Sequence, residues 1–365
     1  MGSTTNQHYV PRFYLKKFSN LSSGKYKIYL FDKFRVKENI HFSNIKNVAT
    51  SNGFYDFPIE SEKFFDDHNI HPETLSDIVN LSVGRKEFDR YLTKYEVKMQ
   101  SIYNAFENRV SDILQSNNIS QKNKIINKRD KQRWSQVLST QYLRTPAFRK
   151  AIQEIKLKTD RWHEDQFFAE RQASEILKII IFNISIYYPH IPVSSLKLAS
   201  EMSVITVLSM QHKLHNEQIA LSHYGTFQKR VGDLSKILQR HKWSLGINQT
   251  DIPFYISDNP VARSPYSAGY GSEGVEILFP LNPKFILILR DKKHPKATEH
   301  DGKIVTLSTS EILAYNAAQV YCSERFVYCQ KNEFELAKQI CIENPEICSD
   351  AKDRVKIVYE IPKYD

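Results

Sequence analysis

A histidine and an arginine stand four residues apart in Gln7-His8-Tyr9-Val10-Pro11-Arg12, across a proline that sets its own φ and biases Val10 toward an extended shape. Such a stiff strip can aim an imidazole and a guanidinium at one place. The imidazole titrates near neutrality, and the guanidinium grips phosphate or carboxylate through paired N–H groups. A plainer role also fits, with His8 bonded to backbone and Arg12 paired to an acid of residues 56–96. A second group is Arg144-Thr145-Pro146-Ala147-Phe148-Arg149. Thr145 can cap a helix that Pro146 begins, so two arginines would flank the free N–H groups of a helix start, which suits an anion. Capping plus a surface ion pair is the competing account. The third group, Ser257-Asp258-Asn259-Pro260, ends an apolar run that reads as a buried strand. Asp258 could hold a metal or act as a base there, and Asn259 could orient a substrate group, whereas an Asx turn before proline requires neither.

Other constellations are weaker. His68/His71 and His212/His215 have i,i+3 spacing, and the second pair has Glu217 and His223 nearby, but both lack the spacing and glutamate of a zinc-protease helix. Cys322, Cys329, Cys341 and Cys348 lie too far apart for a structural zinc site and are expected to be reduced thiols. Asp258 is left as the one metal candidate, with Mg²⁺ or Mn²⁺ the ion in question. No phosphate loop, dinucleotide fingerprint or nucleophile elbow occurs, which removes the most familiar nucleotide enzymes and hydrolases.

The net charge of +10 is unevenly placed. Residues 121–161 hold twelve Lys and Arg against three acids, a net +9 that leaves the remainder near neutral, while residues 56–96 carry ten acids against five bases. Lys128, Arg129, Lys131 and Arg133 head the basic stretch as candidates to hold a phosphate backbone, although solvated helices with long lysines account for many such runs. The longest apolar run, residues 176–188, is interrupted by Lys178 and Asn183 and is shorter than a bilayer span, and no signal peptide opens the chain. A cytoplasmic protein with no membrane association is expected; a protein partner or a second copy of the chain is left open.

The elements that must carry these groups fall in three stretches. Residues 1–71 read as strand and turn, with alternation over Lys25–Asp32 and a turn at Ser51-Asn52-Gly53. Residues 72–242 show helical periodicity: Leu92, Tyr95, Met99, Ile102, Tyr103 and Phe106 form one stripe, with Glu96 the polar intruder. Trp134, Val137, Leu138, Gln141 and Tyr142 form another, and further helices are expected near 173–186 and 195–218. Residues 243–365 return to strands at 253–257, 275–281, 285–290, 325–328 and 355–361, the second and third forming a hairpin turned by Asn282-Pro283, with a short helix near 311–319. The expected class is α+β: terminal strands form a mixed or antiparallel sheet around a large helical middle section.

Gln7-His-Tyr-Val-Pro-Arg-Phe-Tyr-Leu-Lys-Lys-Phe18, Asn52-Gly-Phe-Tyr55, Arg144-Thr-Pro-x-x-Arg149, Ile256-Ser-Asp-Asn-Pro-Val261 and Phe279-Pro-Leu-Asn-Pro283 together resemble an uncharacterised, mainly bacterial family, the domain of unknown function 4238. Asn282 departs from it, standing where a serine is expected. The resemblance carries no activity. It implies that His8, Arg12, Arg144, Arg149, Asp258 and Asn259 belong to one constellation. Such a set suits a phosphodiester: His8 as acid or base, arginines on the phosphate, Asp258 on a metal or on the histidine. The leading expectation is a nuclease, with bacterial defence as a setting it would suit; the alternatives are a non-catalytic nucleic-acid or partner-binding protein, and a sensor of a small anion or nucleotide.

Overall fold

The computed structural model describes residues 6–38, 40–56, 87–115, 124–162 and 217–350. Its described residues form eight α-helices and three sheets, an α+β fold with strands toward both ends. The expected helices near 173–186 and 195–218, the strand near 355–361 and both spaced histidine pairs lie outside the described residues.

Strand β1 (Asn6–His8) pairs antiparallel with β5 (Thr50–Asn52) in a two-stranded ribbon. Between them lie helix α1 (Arg12–Lys17) and strands β2 (Asn20–Ser22), β3 (Lys25–Asp32) and β4 (His41–Asn44). Helix α1 corrects the strand-and-turn reading of this stretch. Pro11 stands outside its first turn with ψ 138° and offers its carbonyl to Tyr14 and Leu15 N–H, so the proline that stiffens the strip also starts the helix. The expected strand over 25–32 is β3. It pairs antiparallel with β2, with β4 and with β12 (Phe326–Cys329), which pairs in turn with β7 (Ile256–Ser257). Residues near the two ends therefore share one sheet.

Four long helices follow in sequence: α2 (Glu87–Gln115), α3 (Lys128–Leu143), α4 (Pro146–Trp162) and α5 (Glu217–Gln239). Helix α3 starts with a capping box between Asn127 and Asp130, and Thr145 receives Phe148 N–H at 3.3 Å at the restart before α4. The predicted stripes face inward: Leu92, Met99, Tyr103 and Phe106 of α2 and Trp134, Val137 and Leu138 of α3 are all buried. Trp134 packs edge-on against Tyr103 and Phe106.

The second five-stranded sheet runs β11 (Ile304–Thr306), β6 (Lys242–Ile247), β10 (Phe285–Arg290), β9 (Glu276–Asn282), β8 (Ala262–Ser264). The expected hairpin at Asn282-Pro283 joins β9 to β10. Asn282 earns its place by accepting from Lys284 and Phe285 N–H while its amide donates to Glu107 at 3.0 Å. Helices α6 (Ala297–His300), α7 (Thr309–Cys322) and α8 (Glu335–Glu343) complete the described fold. The opening motif is locked onto this second sheet: Tyr14 stacks on Phe279 with centroids 5.0 Å apart and donates to the Pro280 carbonyl at 2.6 Å. Pro280 has no N–H to give the ladder, but its carbonyl is free for that bond.

Candidate functional site

Short polar clamps bring distant pieces of sequence to one centre. Gln7, buried, accepts from Tyr55 N–H at 2.6 Å and donates to the Asp56 carboxylate, fastening the Asn52–Tyr55 turn against the opening strip. From α3, Gln141 donates to the Tyr9 carbonyl at 3.1 Å and Arg144 to the His8 carbonyl at 2.6 Å. Two side chains one helical turn apart thus hold two successive peptide units.

Arg144 is wholly buried at the end of α3. The nitrogen that reaches His8 also donates to Glu96 Oε1 at 2.6 Å, and Nε lies 3.4 Å from the Tyr55 hydroxyl. Tyr55 in turn donates to the Arg144 carbonyl at 2.8 Å. Burial works to lower the Arg144 pKa, but Glu96 and Tyr55 outweigh it and leave it raised. Glu96, the intruder on the α2 stripe, is thereby explained. Sequence periodicity marked it as anomalous, and its partner 48 residues away gives the reason.

Arg149, on the first turn of α4, is held differently. Its guanidinium lies flat on Phe54, 3.6 Å from the ring centroid, and Nε donates to His223 Nδ1 at 3.1 Å. An arginine can only donate, so Nδ1 carries a lone pair and His223 Nε2–H donates to the Leu143 carbonyl. His223 is the site residue that sequence reading passed over. Its pKa falls to about 3, first through burial and then through the Arg149 charge, so it is neutral at physiological pH. Burial also draws Arg149 down to about 10, which leaves it charged at neutral pH. Among the described residues it has no carboxylate partner.

Two donors at this centre are unspent. Arg144 Nη1 and Arg149 Nη2 are buried without a hydrogen-bond partner among the described residues, and each guanidinium carbon lies 5.9 Å from the Tyr55 ring centroid. A buried guanidinium N–H left without an acceptor costs about 1–3 kcal/mol, more where the charge is uncompensated. His8 stands beside Arg144, half-buried, with Nε2 3.2 Å from the Ile45 carbonyl. That nitrogen must donate, so Nδ1 holds the lone pair of the neutral ring. Burial, and then Arg12 and Arg144, lower the His8 pKa against the pull of the Ile45 bond and Glu96.

The remaining sequence candidates are placed elsewhere or otherwise employed. Arg12 is exposed at the start of α1, close enough to His8 to act on its charge. Asp258 is buried, and its two oxygens accept N–H from Glu324, Arg325 and Phe326 at 2.7, 2.8 and 2.8 Å. It clamps the loop between α7 and β12. Asn259 donates to the Cys322 carbonyl at 2.9 Å, and its own Oδ1 is buried without a partner. The structure therefore brings His8, Arg144 and Arg149 together and gives Asp258 and Asn259 scaffold bonds nearby. Asp258→Ala would strand three backbone donors. A loss of about 3 kcal/mol is expected in urea unfolding, with no change in the slope of free energy against denaturant. Among the described residues no group of three His, Cys, Asp or Glu side chains could hold a metal ion.

The basic stretch is set apart from this centre. Lys128, Arg129 and Arg133 are exposed toward the far end of α3, about 16 to 24 Å from Arg144 at the helical rise per residue. Lys131 is engaged with Asp301 at 2.9 Å. All four cysteines are free thiols. No helix among the described residues is long and apolar enough to cross a membrane.

Fold and centre together define an α+β protein built around a buried arginine–histidine cluster. Residues 6–333 match the family model described as protein of unknown function (DUF4238), and the chain belongs to that family. No curated protein and no solved structure matches it.

Proposed function

We propose that Arg144 and Arg149 bind a phosphate group and that the protein acts there on phosphodiester bonds of nucleic acid, with His8 moving the proton. The observation that carries this reading is the pair of unspent guanidinium donors around Tyr55, one of them on an arginine with no described counter-ion. A phosphate would satisfy both donors and neutralise Arg149. His8 Nδ1 would take the proton of the attacking oxygen, and the arginines would stabilise charge building on the phosphate. Exposed Lys128, Arg129 and Arg133 would hold backbone further along the strand. Asp258, with its oxygens occupied by backbone, takes no step in this scheme.

A small phosphorylated ligand, sensed and not cleaved, is the second reading. It is favoured by the enclosure of the two donor nitrogens, which have almost no solvent contact.

The test is a cleavage assay on labelled single-stranded RNA, single-stranded DNA and duplex DNA, with and without Mg²⁺ or Mn²⁺, on the natural chain and on Arg149→Met. Methionine can lie over Phe54 but carries no charge. Phosphate-dependent binding and cleavage are expected to fall about 10- to 100-fold, as for loss of one charge-assisted bond. Thermal stability is expected to hold or rise, because an unbalanced buried charge has been removed. A variant that unfolds more readily while cleaving normally would make Arg149 a structural residue and end this reading.

A further inference from the structure

A second basic surface lies beside His8, and it differs in kind from the first. Residues 12–46 hold nine Lys and Arg against two acids, a net +7 that is concealed in the whole-chain balance by the acidic 56–96 stretch. The acids are both engaged: Asp32 with Arg325, and Glu38 with Arg35. Lys33 is buried against the Val320 and Ser323 carbonyls, and Lys17 pairs with Glu107. Arg12 and Lys16, one turn apart on α1, are exposed, as are Lys25 and Lys46, and Lys27 is half-buried. None of these five is in an ion pair among the described residues.

The sheet face that carries Lys25 and Lys27 is only partly covered, while Lys16 sits over Tyr26 on the opposite face. Alternation puts Lys25, Lys27, Tyr29 and Phe31 of β3 on one face. At the far end Phe31 is buried under Phe334, 5.7 Å between centroids, in a small core that includes Val327 and Cys329. That cover stops at Tyr29. Phe42, directly across the ladder from Tyr29, stacks on it at 4.4 Å and is 37% exposed, with the Lys27 ammonium 5.5 Å from its ring. From Phe42 the chain runs along β4 and one residue past its end to Ile45, whose carbonyl holds the His8 ring, a path of about 10 Å at the strand rise.

We infer that the open end of this face, Tyr29 and Phe42 with Lys25 and Lys27, is a stacking platform for the bases of single-stranded nucleic acid, placed to lead the strand to His8. An exposed phenylalanine stacked on a half-buried tyrosine, flanked by lysines without a described ion pair, matches what an unpaired strand presents, flat bases and a regular negative backbone. A duplex keeps its bases stacked inside and has nothing to lay on Phe42. The inference rests on the proposed phosphodiester reading for the direction of the strand, but not for the platform itself.

Fluorescence anisotropy of the full-length chain with short labelled single-stranded RNA, single-stranded DNA and duplex DNA tests it, using Phe42→Ala, Phe42→Trp and, as a control at an exposed apolar residue of α8, Ile342→Ala. Tighter binding of single strands than of duplex is expected. Phe42→Ala should weaken single-strand affinity about ten-fold with unchanged melting temperature, Phe42→Trp should restore it, and Ile342→Ala should leave it as it was. Single-strand affinity unmoved by Phe42→Ala, or a preference for duplex, overturns the platform even if cleavage is found. Affinity that follows Phe42 with no cleavage under any metal condition keeps the platform and removes the nuclease. The RNA and DNA arms identify the sugar the platform accepts.

Discussion

Replacement of His8 by alanine is expected to lower strand cleavage by about 100- to 10,000-fold, the range that a positioned general base contributes. The ring makes one described hydrogen bond, to the Ile45 carbonyl, so folding should lose only about 1 kcal/mol with it. A large kinetic effect beside a small one in urea unfolding separates catalysis from support. The pH profile adds a second signature. A base must be unprotonated to act, and burial holds the His8 pKa below 6.5. Cleavage should therefore stay level on cooling the pH from 8 to 7 and decline only at more acid values, with that decline absent from any residual activity of the variant. Unaltered cleavage in His8→Ala would remove the histidine from the chemistry.

Acid is expected to unfold this protein through His223. The folded-state pKa of about 3 lies under the ordinary histidine value of 6.5, so between those limits the unfolded chain binds the proton and the folded chain does not. Stability from this group is complete above pH 6.5 and is lost as the pH falls through the window toward 3. The loss amounts to about 2 kcal/mol between pH 7 and pH 5, and to about 5 kcal/mol across the whole window. Its cause is local. A proton on Nδ1 removes the acceptor of Arg149 Nε and sets a second cation 3.1 Å from an arginine already without a described carboxylate partner. His223→Gln tests this, because an amide can accept from Arg149 and donate to Leu143 without titrating. Urea unfolding at pH 7, 6 and 5 should show the natural chain losing about 2 kcal/mol more than the variant over that range. Parallel slopes would mean that the folded and unfolded chains protonate His223 alike.

Local rules served the sequence reading well where the cause is local. The period of two over Lys25–Asp32, the Asn282-Pro283 turn, the Thr145-Pro146 restart and the stripes of α2 and α3 each appear in the structure as read. Helix α1 was missed because the feature that starts it, a proline carbonyl one residue ahead, does not declare itself in apolar spacing. The site was half legible. His8, Arg144 and Arg149 converge, since all three sit in short segments rich in groups that need partners. The partners themselves, Glu96, Tyr55 and His223, lie in three other segments: Glu96 left a mark as a charge where an apolar residue belongs, Tyr55 only as the end of a motif in the resemblance, and His223 only as a neighbour of the His212/His215 pair. Asp258 drew attention as a possible base beside proline. Its carboxylate is instead absorbed by three N–H groups more than sixty residues further on, a use that no local pattern could announce.

The pairing of β3 with β12 has a consequence for how the protein is made. A ribosome releases residues 25–32 early, yet their partner strand at 326–329 emerges some three hundred residues later. Until then β3 has an open edge toward that side, and Lys33 waits for the carbonyls of Val320 and Ser323. Contacts so distant along the chain close slowly, and an unpaired strand edge is the surface on which nascent chains join one another. The growing polypeptide is thus most prone to aggregation through the longest part of its own synthesis, and a message broken before codon 326 yields a chain that cannot complete its first sheet.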